Sequence, residues 1–169
     1  MTEVIVYCKG SAKPFNPGAG AWAFVVYRDG VKIAERRGVY KDPCYNWEAE
    51  YYAIWQALQW LVIKGFNFLK IVVKLDCGLV VRQLQAKARV EQVARYMPYR
   101  RAYSLIKRFP SLRFEKIEKW ENEADALAQQ AYEEYCRRRG KPLNPYKKLY
   151  REVLERIWDA RRRVFEESG

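Results

Sequence analysis

The run Val4-Ile5-Val6-Tyr7-Cys8-Lys9-Gly10-Ser11, followed by Asn16-Pro17-Gly18, decides how the rest of the chain is arranged. Its apolar, β-branched residues predict a strand over residues 3–9, and Gly10 predicts a turn where backbone can come close to a ligand. Residues 10–20 carry two prolines and three glycines, the composition of a loop. Ala21–Tyr27 and Val31–Tyr40 follow as strands joined by the hairpin turn Arg28-Asp29-Gly30. The chain therefore opens as an antiparallel meander.

Beyond Asp42-Pro43 the period changes. Trp47, Tyr51, Ile54, Leu58, Leu61 and Val62 recur at helical spacing, with Asn46 as the expected N-cap and Gly65 as the stop. Leu69–Leu75 predicts a short buried strand that ends at Asp76. Gly78–Gln85 predicts a short helix, and Gln92–Phe109 a longer one broken near Pro98. Leu112–Trp120 predicts a fifth strand, and Asn122 opens a helix over Glu123–Arg139. The order β-β-β-α-β-α-α-β-α implies an α/β fold: a five-stranded mixed sheet, three antiparallel strands and then parallel ones, flanked by helices.

Gly140–Pro145 has the composition of a linker, and Tyr146–Glu167 that of an amphipathic helix. The helix carries Leu149, Val153, Leu154, Ile157, Trp158, Val164 and Phe165 as its apolar stripe. The expected organisation is one domain over residues 1–139 and a linker with a C-terminal helical extension over 140–169. Such a stripe suits the domain's own core, a homodimer or another protein partner.

Half of the 169 residues are hydrophobic, which excludes a disordered chain. Thirty-two basic residues against 20 acidic ones leave a net charge of +12, which favours a polyanionic partner, nucleic acid first. No apolar run reaches the roughly 18 residues of a membrane span, and the N-terminus lacks the pattern of a signal peptide. No membrane partner is expected. Cys8, Cys44, Cys77 and Cys136 form no CxxC pair and read as free thiols, so a cytoplasmic location is expected. The sequence has no histidine, which argues against a zinc site or a histidine base. The chemistry that remains uses carboxylates, lysine, tyrosine or a hard metal ion.

Three carboxylates stand in suitable places: Glu50 near a helix start, Asp76 at a strand end, and Asp125 early in a helix. Magnesium takes oxygen ligands, one or two of them carboxylates and the rest substrate phosphate and water. Two such ions flanking a phosphodiester activate water and stabilise the leaving oxygen, with no need for histidine. Taken singly, each acid reads better as a plain residue, Glu50 at a helix N-terminus and Asp76 and Asp125 as surface acids. Their order along the elements is what changes the reading.

That order resembles ribonuclease H type 1, in the compact form found in archaea and some bacteria. Tyr7-Cys8-Lys9-Gly10-Ser11 with Asn16-Pro17-Gly18 is similar to the family's opening Y-x-D-G-S…N-P-G. Asn46-Trp47-Glu48-Ala49-Glu50 matches N-x-x-x-E, and Asp76 followed by Leu79-Val80-Val81 matches S-D-S-x-L-V-V. Asn122-Glu123-Ala124-Asp125-Ala126-Leu127-Ala128 matches N-x-x-A-D-x-L-A. The resemblance covers roughly residues 3–136. It implies a ribonuclease H-like fold and magnesium- or manganese-dependent cleavage of the RNA strand of an RNA–DNA hybrid. Glu50, Asp76 and Asp125 then carry over as catalytic metal ligands. Gly10, Ser11, Asn16 and Asn46 fall where the family's loops touch the RNA strand, whose 2′-hydroxyls identify it.

Lys9 departs from the family, which has at that position the aspartate that bridges both metals. Two unit charges about 4 Å apart interact by about 4 kcal/mol at an effective dielectric of 20, and a dication doubles the figure. Lys9 is therefore expected to repel metal and to pair instead with Glu50 and Asp76. Hydrolysis is expected to be absent or impaired, with no metal bound while Lys9 is present. The alternative is a non-catalytic module that binds hybrid or another duplex on the same fold. Glu3, Asp42 and Glu48 are poor replacements as ligands: Glu3 is six residues away on the strand, and Glu48 lies on a different helix face from Glu50.

Between Arg82 and Arg108 lie eight basic residues and one acid. Arg82, Lys87, Arg89, Arg95, Arg100 and Arg101 are expected to contact phosphate, with Tyr96, Tyr99 and Tyr103 interleaved as core or stacking residues.

Overall fold

A computed structural model describes residues 2–167. The chain divides into two compact units, one running to Tyr135 and the other from Cys136 onward. The first unit is built on a five-stranded sheet of order β3-β2-β1-β4-β5. Its strands are β1 (Glu3–Lys13), β2 (Ala19–Arg28), β3 (Val31–Val39), β4 (Lys70–Leu75) and β5 (Leu112–Lys116). β1 pairs antiparallel with β2 and parallel with β4, and β5 adds parallel to β4. The mixed sheet has its expected layout.

β1 does not end at Gly10. It continues through Ser11 and Ala12 to Lys13, which pairs with Ala19, so Lys9 lies inside a strand and not at its end. Gly10 serves a different need from a turn. A Cβ there would lie 2.1 Å from the backbone nitrogen of Glu50 and 2.2 Å from the carbonyl carbon of Ala49. The helix α1 (Asn46–Ile63) therefore crosses β1 at backbone contact, and only glycine leaves it room.

Alternation along β1 sorts its side chains to two faces. Val4, Val6 and Cys8 are fully buried in the core cluster shared with Ile54, Leu58 and Leu61 of α1. Helix α4 (Asp125–Arg138) begins on the opposite face, where Ala124 and Ala128 pack with Ala23 and Val25 of β2 against Tyr7. Small residues here let the start of α4 approach the sheet closely.

Several local expectations shift. The N-cap of α1 is Tyr45, and Asn46 is the first helical residue. Helix α2 (Gly78–Leu84) is followed by turns, and helix α3 covers only Met97–Ile106. Pro98 stands in the first turn of α3, where its missing N–H has no partner to lose, so it starts the helix rather than breaking it. β5 stops at Lys116, and Lys119–Glu121 form a 3₁₀ turn closed by a reciprocal Glu118–Glu121 capping box. Asp125 is the first residue of α4.

The second unit contains helix α5 (Tyr146–Glu167), on which Leu149, Val153, Leu154, Ile157, Trp158 and Val164 are exposed. The side chain of Phe165, expected on the same stripe, lies outside the described residues. Among the described residues no helix is long and apolar enough to cross a membrane.

Candidate functional site

Parallel pairing fixes where the charged residues meet. Tyr7 of β1 is level with Lys74 of β4, and two residues further along each strand stand Lys9 and Asp76. Both carboxylate oxygens of Asp76 accept hydrogen bonds from the Lys9 ammonium at 3.0 Å. Asp125, at the start of α4, brings its Oδ1 to 3.7 Å from the same nitrogen. The side chain of Asp76 is 7% exposed, that of Lys9 14% and that of Asp125 37%. The cluster is thus a half-buried ion pair open on the α4 side.

Glu50 completes the group without touching Lys9. The expected Lys9–Asp76 pair forms, whereas the expected Lys9–Glu50 contact is replaced by Lys9–Asp125, because Lys9 sits on the α4 face while α1 delivers Glu50 over Gly10. Glu50 accepts a hydrogen bond from the Gly10 N–H, and its Oε2 is buried with no hydrogen-bond partner. Burial pushes its carboxyl up to about 8. The positive charge of Lys9 and the Gly10 bond oppose that rise, and Asp76 and Asp125 add to it. Burial also disfavours the Lys9 ammonium, but Glu50, the Asp76 hydrogen bond and the charges of Asp76 and Asp125 outweigh it and hold its pKa above the ordinary lysine value. Lys9 is therefore charged across the neutral range. Cys8 and Cys77, on either side of the cluster, are both pushed up by burial and are unreactive thiols.

A pair of hard dications does not fit these residues as they stand. Both Asp76 oxygens are already bonded to an ammonium, which stands at the position where the resemblance expects a further aspartate ligand. Among the described residues no group of three His, Cys, Asp or Glu side chains is arranged to hold a metal ion.

Neighbouring side chains take positions that their local sequence does not reveal. The Asn122 amide donates to the Cys8 carbonyl at 2.9 Å, and its Oδ1 accepts from the Ala124 N–H at 3.1 Å. This buried bridge ties the start of α4 to β1 and so sets Asp125 against Lys9. Lys116, level with Leu75 in the β4–β5 pairing, was invisible in sequence because its position depends on a parallel register. A methyl group at Gly78 would lie 3.3 Å from Arg82 Nη1 and 3.9 Å from Lys116 Cε, so both cations flank the start of α2, two residues from Asp76.

The proposed RNA-side residues fall into two sets. Gly10 is buried under α1, and Ser11 has a buried Oγ without a hydrogen-bond partner. Asn16 and Asn46 are surface residues locked to each other: the Asn16 amide donates to Asn46 Oδ1 at 2.9 Å, and the Asn46 N–H donates to Asn16 Oδ1 at 3.0 Å. The Gly18–Cys44 bridge, bonded in both directions, holds the two segments together. Beside Asn46, Tyr45 stacks on Trp47 at 5.6 Å, Trp47 meets Tyr96 edge-on at 4.7 Å, and Arg95 lies 5.3 Å over Tyr96. This aromatic run joins the Asn46 corner to the basic segment. Arg82, Lys87, Arg89, Arg95, Arg100 and Arg101 are all exposed. Tyr99 packs against the buried Tyr51 at 5.1 Å, whereas Tyr103 is exposed and stacks on it at 5.8 Å.

Comparison with known proteins agrees with this architecture. A family described as reverse transcriptase-like matches residues 9–131. No curated protein matches the chain by sequence. Among solved structures, the chain is similar to RNase H1 from the halophilic archaeon Halobacterium salinarum NRC-1, at 29% identity and a TM-score of 0.70, over 78% of this chain and 98% of that one. It is also similar to LC11-RNase H1, obtained from compost by a metagenomic approach, whose structure in complex with an RNA/DNA hybrid matches at 26% identity and a TM-score of 0.71, over 78% and 98% of the two chains. The N-terminal RNase H domain of a Mycobacterium tuberculosis protein shares the fold, with a TM-score of 0.72 at 24% identity over 81% of this chain and 98% of that one.

Proposed function

The chain belongs to the reverse transcriptase-like family and is of ribonuclease H1 type, and from that membership we propose that it binds RNA–DNA hybrids while hydrolysing the RNA strand poorly or not at all. The observation that carries the proposal is the Lys9 ammonium held by both oxygens of Asp76. Family hydrolysis depends on carboxylates gathering divalent ions at the scissile phosphate. A cation fixed among those carboxylates removes one ligand and repels the ions. Support for hybrid binding comes from the net charge of +12, the exposed arginines of the segment that follows β4 and the surface-presented Asn16–Asn46 pair. The hybrid-bound LC11 relative points to the same ligand class.

The test is cleavage of an end-labelled RNA–DNA hybrid in magnesium by the parent chain and by Lys9→Asp, with anisotropy to follow binding. Restoring the fourth carboxylate is expected to raise cleavage by a factor on the order of 100 or more, while the parent binds hybrid and leaves it intact. A parent that cuts as fast as Lys9→Asp contradicts the impaired site. A parent that does not bind hybrid contradicts the ligand.

A further inference from the structure

We infer that Lys9 is a resident cation standing in for divalent metal, so that this site is assembled, and meets the RNA backbone, without magnesium or manganese. The inference rests on the hybrid-binding reading above and goes beyond it by assigning what holds the carboxylates together. A lost aspartate alone would leave three acids facing one another across an unneutralised gap. Here the replacing side chain crosses that gap: its nitrogen is 3.0 Å from both Asp76 oxygens and 3.7 Å from Asp125 Oδ1. With Glu50 holding its proton, Asp76 and Asp125 against one ammonium leave a formal charge of −1, whereas aspartate at position 9 would make it −3 and call for divalent counter-charge.

Two further cations strengthen the reading. Arg82 and Lys116 converge on the start of α2, two residues beyond Asp76. Arg82 and Lys116 thus add positive charge beside the helix start that follows Asp76, while the Lys116 ammonium itself donates to Glu118 at 3.3 Å. Lysine delivers that charge as a tethered point donor, with no requirement for octahedral geometry or displaced water. Lys9 is by this account a positioning residue for the carboxylates and a fixed counter-charge for the bound strand.

The experiment is a thermal melt of the full chain with manganese or EDTA, paired with hybrid affinity in the same two buffers. The parent is expected to melt at the same temperature with and without manganese and to bind hybrid equally in both. Lys9→Asp and Lys9→Ala are expected to melt lower in EDTA and to regain about 5 °C with millimolar manganese. If Lys9→Asp fails to fold, Lys9→Ala supplies the comparison, and the parent's own response decides without either. A parent stabilised by manganese to the same extent as the variants, or one whose hybrid affinity drops more than about tenfold in EDTA, overturns the resident-cation role. Absence of hybrid binding under both conditions would sink the proposed ligand, while the melting comparison would still decide what neutralises the cluster.

Discussion

The two faces of β1 are made by alternate residues of one strand, yet they are stabilised in opposite ways. Toward α1 stand Val4, Val6 and Cys8, fully buried and apolar, with Gly10 clearing the helix backbone. Toward α4 stand Tyr7, Lys9 and Ser11, where charge must be matched by charge and hydrogen bonds by geometry. The apolar face is stabilised by buried area and close packing. The polar face depends on a few distances, and removing one partner strands the others. A single residue of register separates a core position from a site position.

That contrast can be broken from either side. The largest effect belongs to Gly10→Ala, because the new methyl meets helix backbone at 2.1 Å and nothing flexible can yield. The expected loss is about 3 kcal/mol or more in urea unfolding, with a fraction of the protein failing to fold. Lys9→Met tests the polar face: it removes the counter-charge and leaves three carboxylates close together. An expected cost of about 3 kcal/mol in metal-free buffer would match the loss of one partner from a half-buried pair, and a neutral result would mean that solvent already screens the cluster.

Asn122→Ala probes the link between the faces, since its side chain joins α4 to the Cys8 carbonyl. About 1–2 kcal/mol is expected, together with a looser Asp125. Glu50 gives a test in pH. Its carboxyl titrates at about 8 in the folded chain against an ordinary value of 4.5, so the folded state holds its proton where the unfolded state has released it. Stability from this group is full below pH 4.5 and is lost as pH rises toward 8. Urea midpoints of the parent should fall across that window, and Glu50→Gln should flatten the fall.

The smallest expected change lies on the basic surface. Arg95→Ala should lower the salt slope of hybrid binding by about 1, with no change in folding, if that side chain meets one phosphate. An unchanged slope would place the residue outside the contact.

Much of this architecture was legible in the sequence because local pattern and tertiary role agree. The helical period of Trp47–Val62 and the apolar run ending at Asp76 placed two of the carboxylates on their correct elements. Gly10 was misread because a glycine that makes a turn and a glycine that clears a helix look alike until the partner backbone is known. Pro98 was misread in the same way, since a proline in a first turn and one in mid-helix differ only in where the helix starts. The Lys9–Asp76 pair was legible, but the choice of Asp125 over Glu50 as the second partner depends on which face of β1 the lysine takes. Lys116 and the Asn16–Asn46 lock needed the sheet register and the Gly18–Cys44 bridge, which no local spacing encodes.

The most direct measurement is uptake of manganese by the folded chain, read from the paramagnetic resonance of the free ion. The account predicts that the parent leaves manganese free at millimolar concentration, while Lys9→Asp removes it from solution in proportion to protein. Stoichiometric uptake by the parent would contradict the claim that the Lys9 ammonium already fills the metal's role.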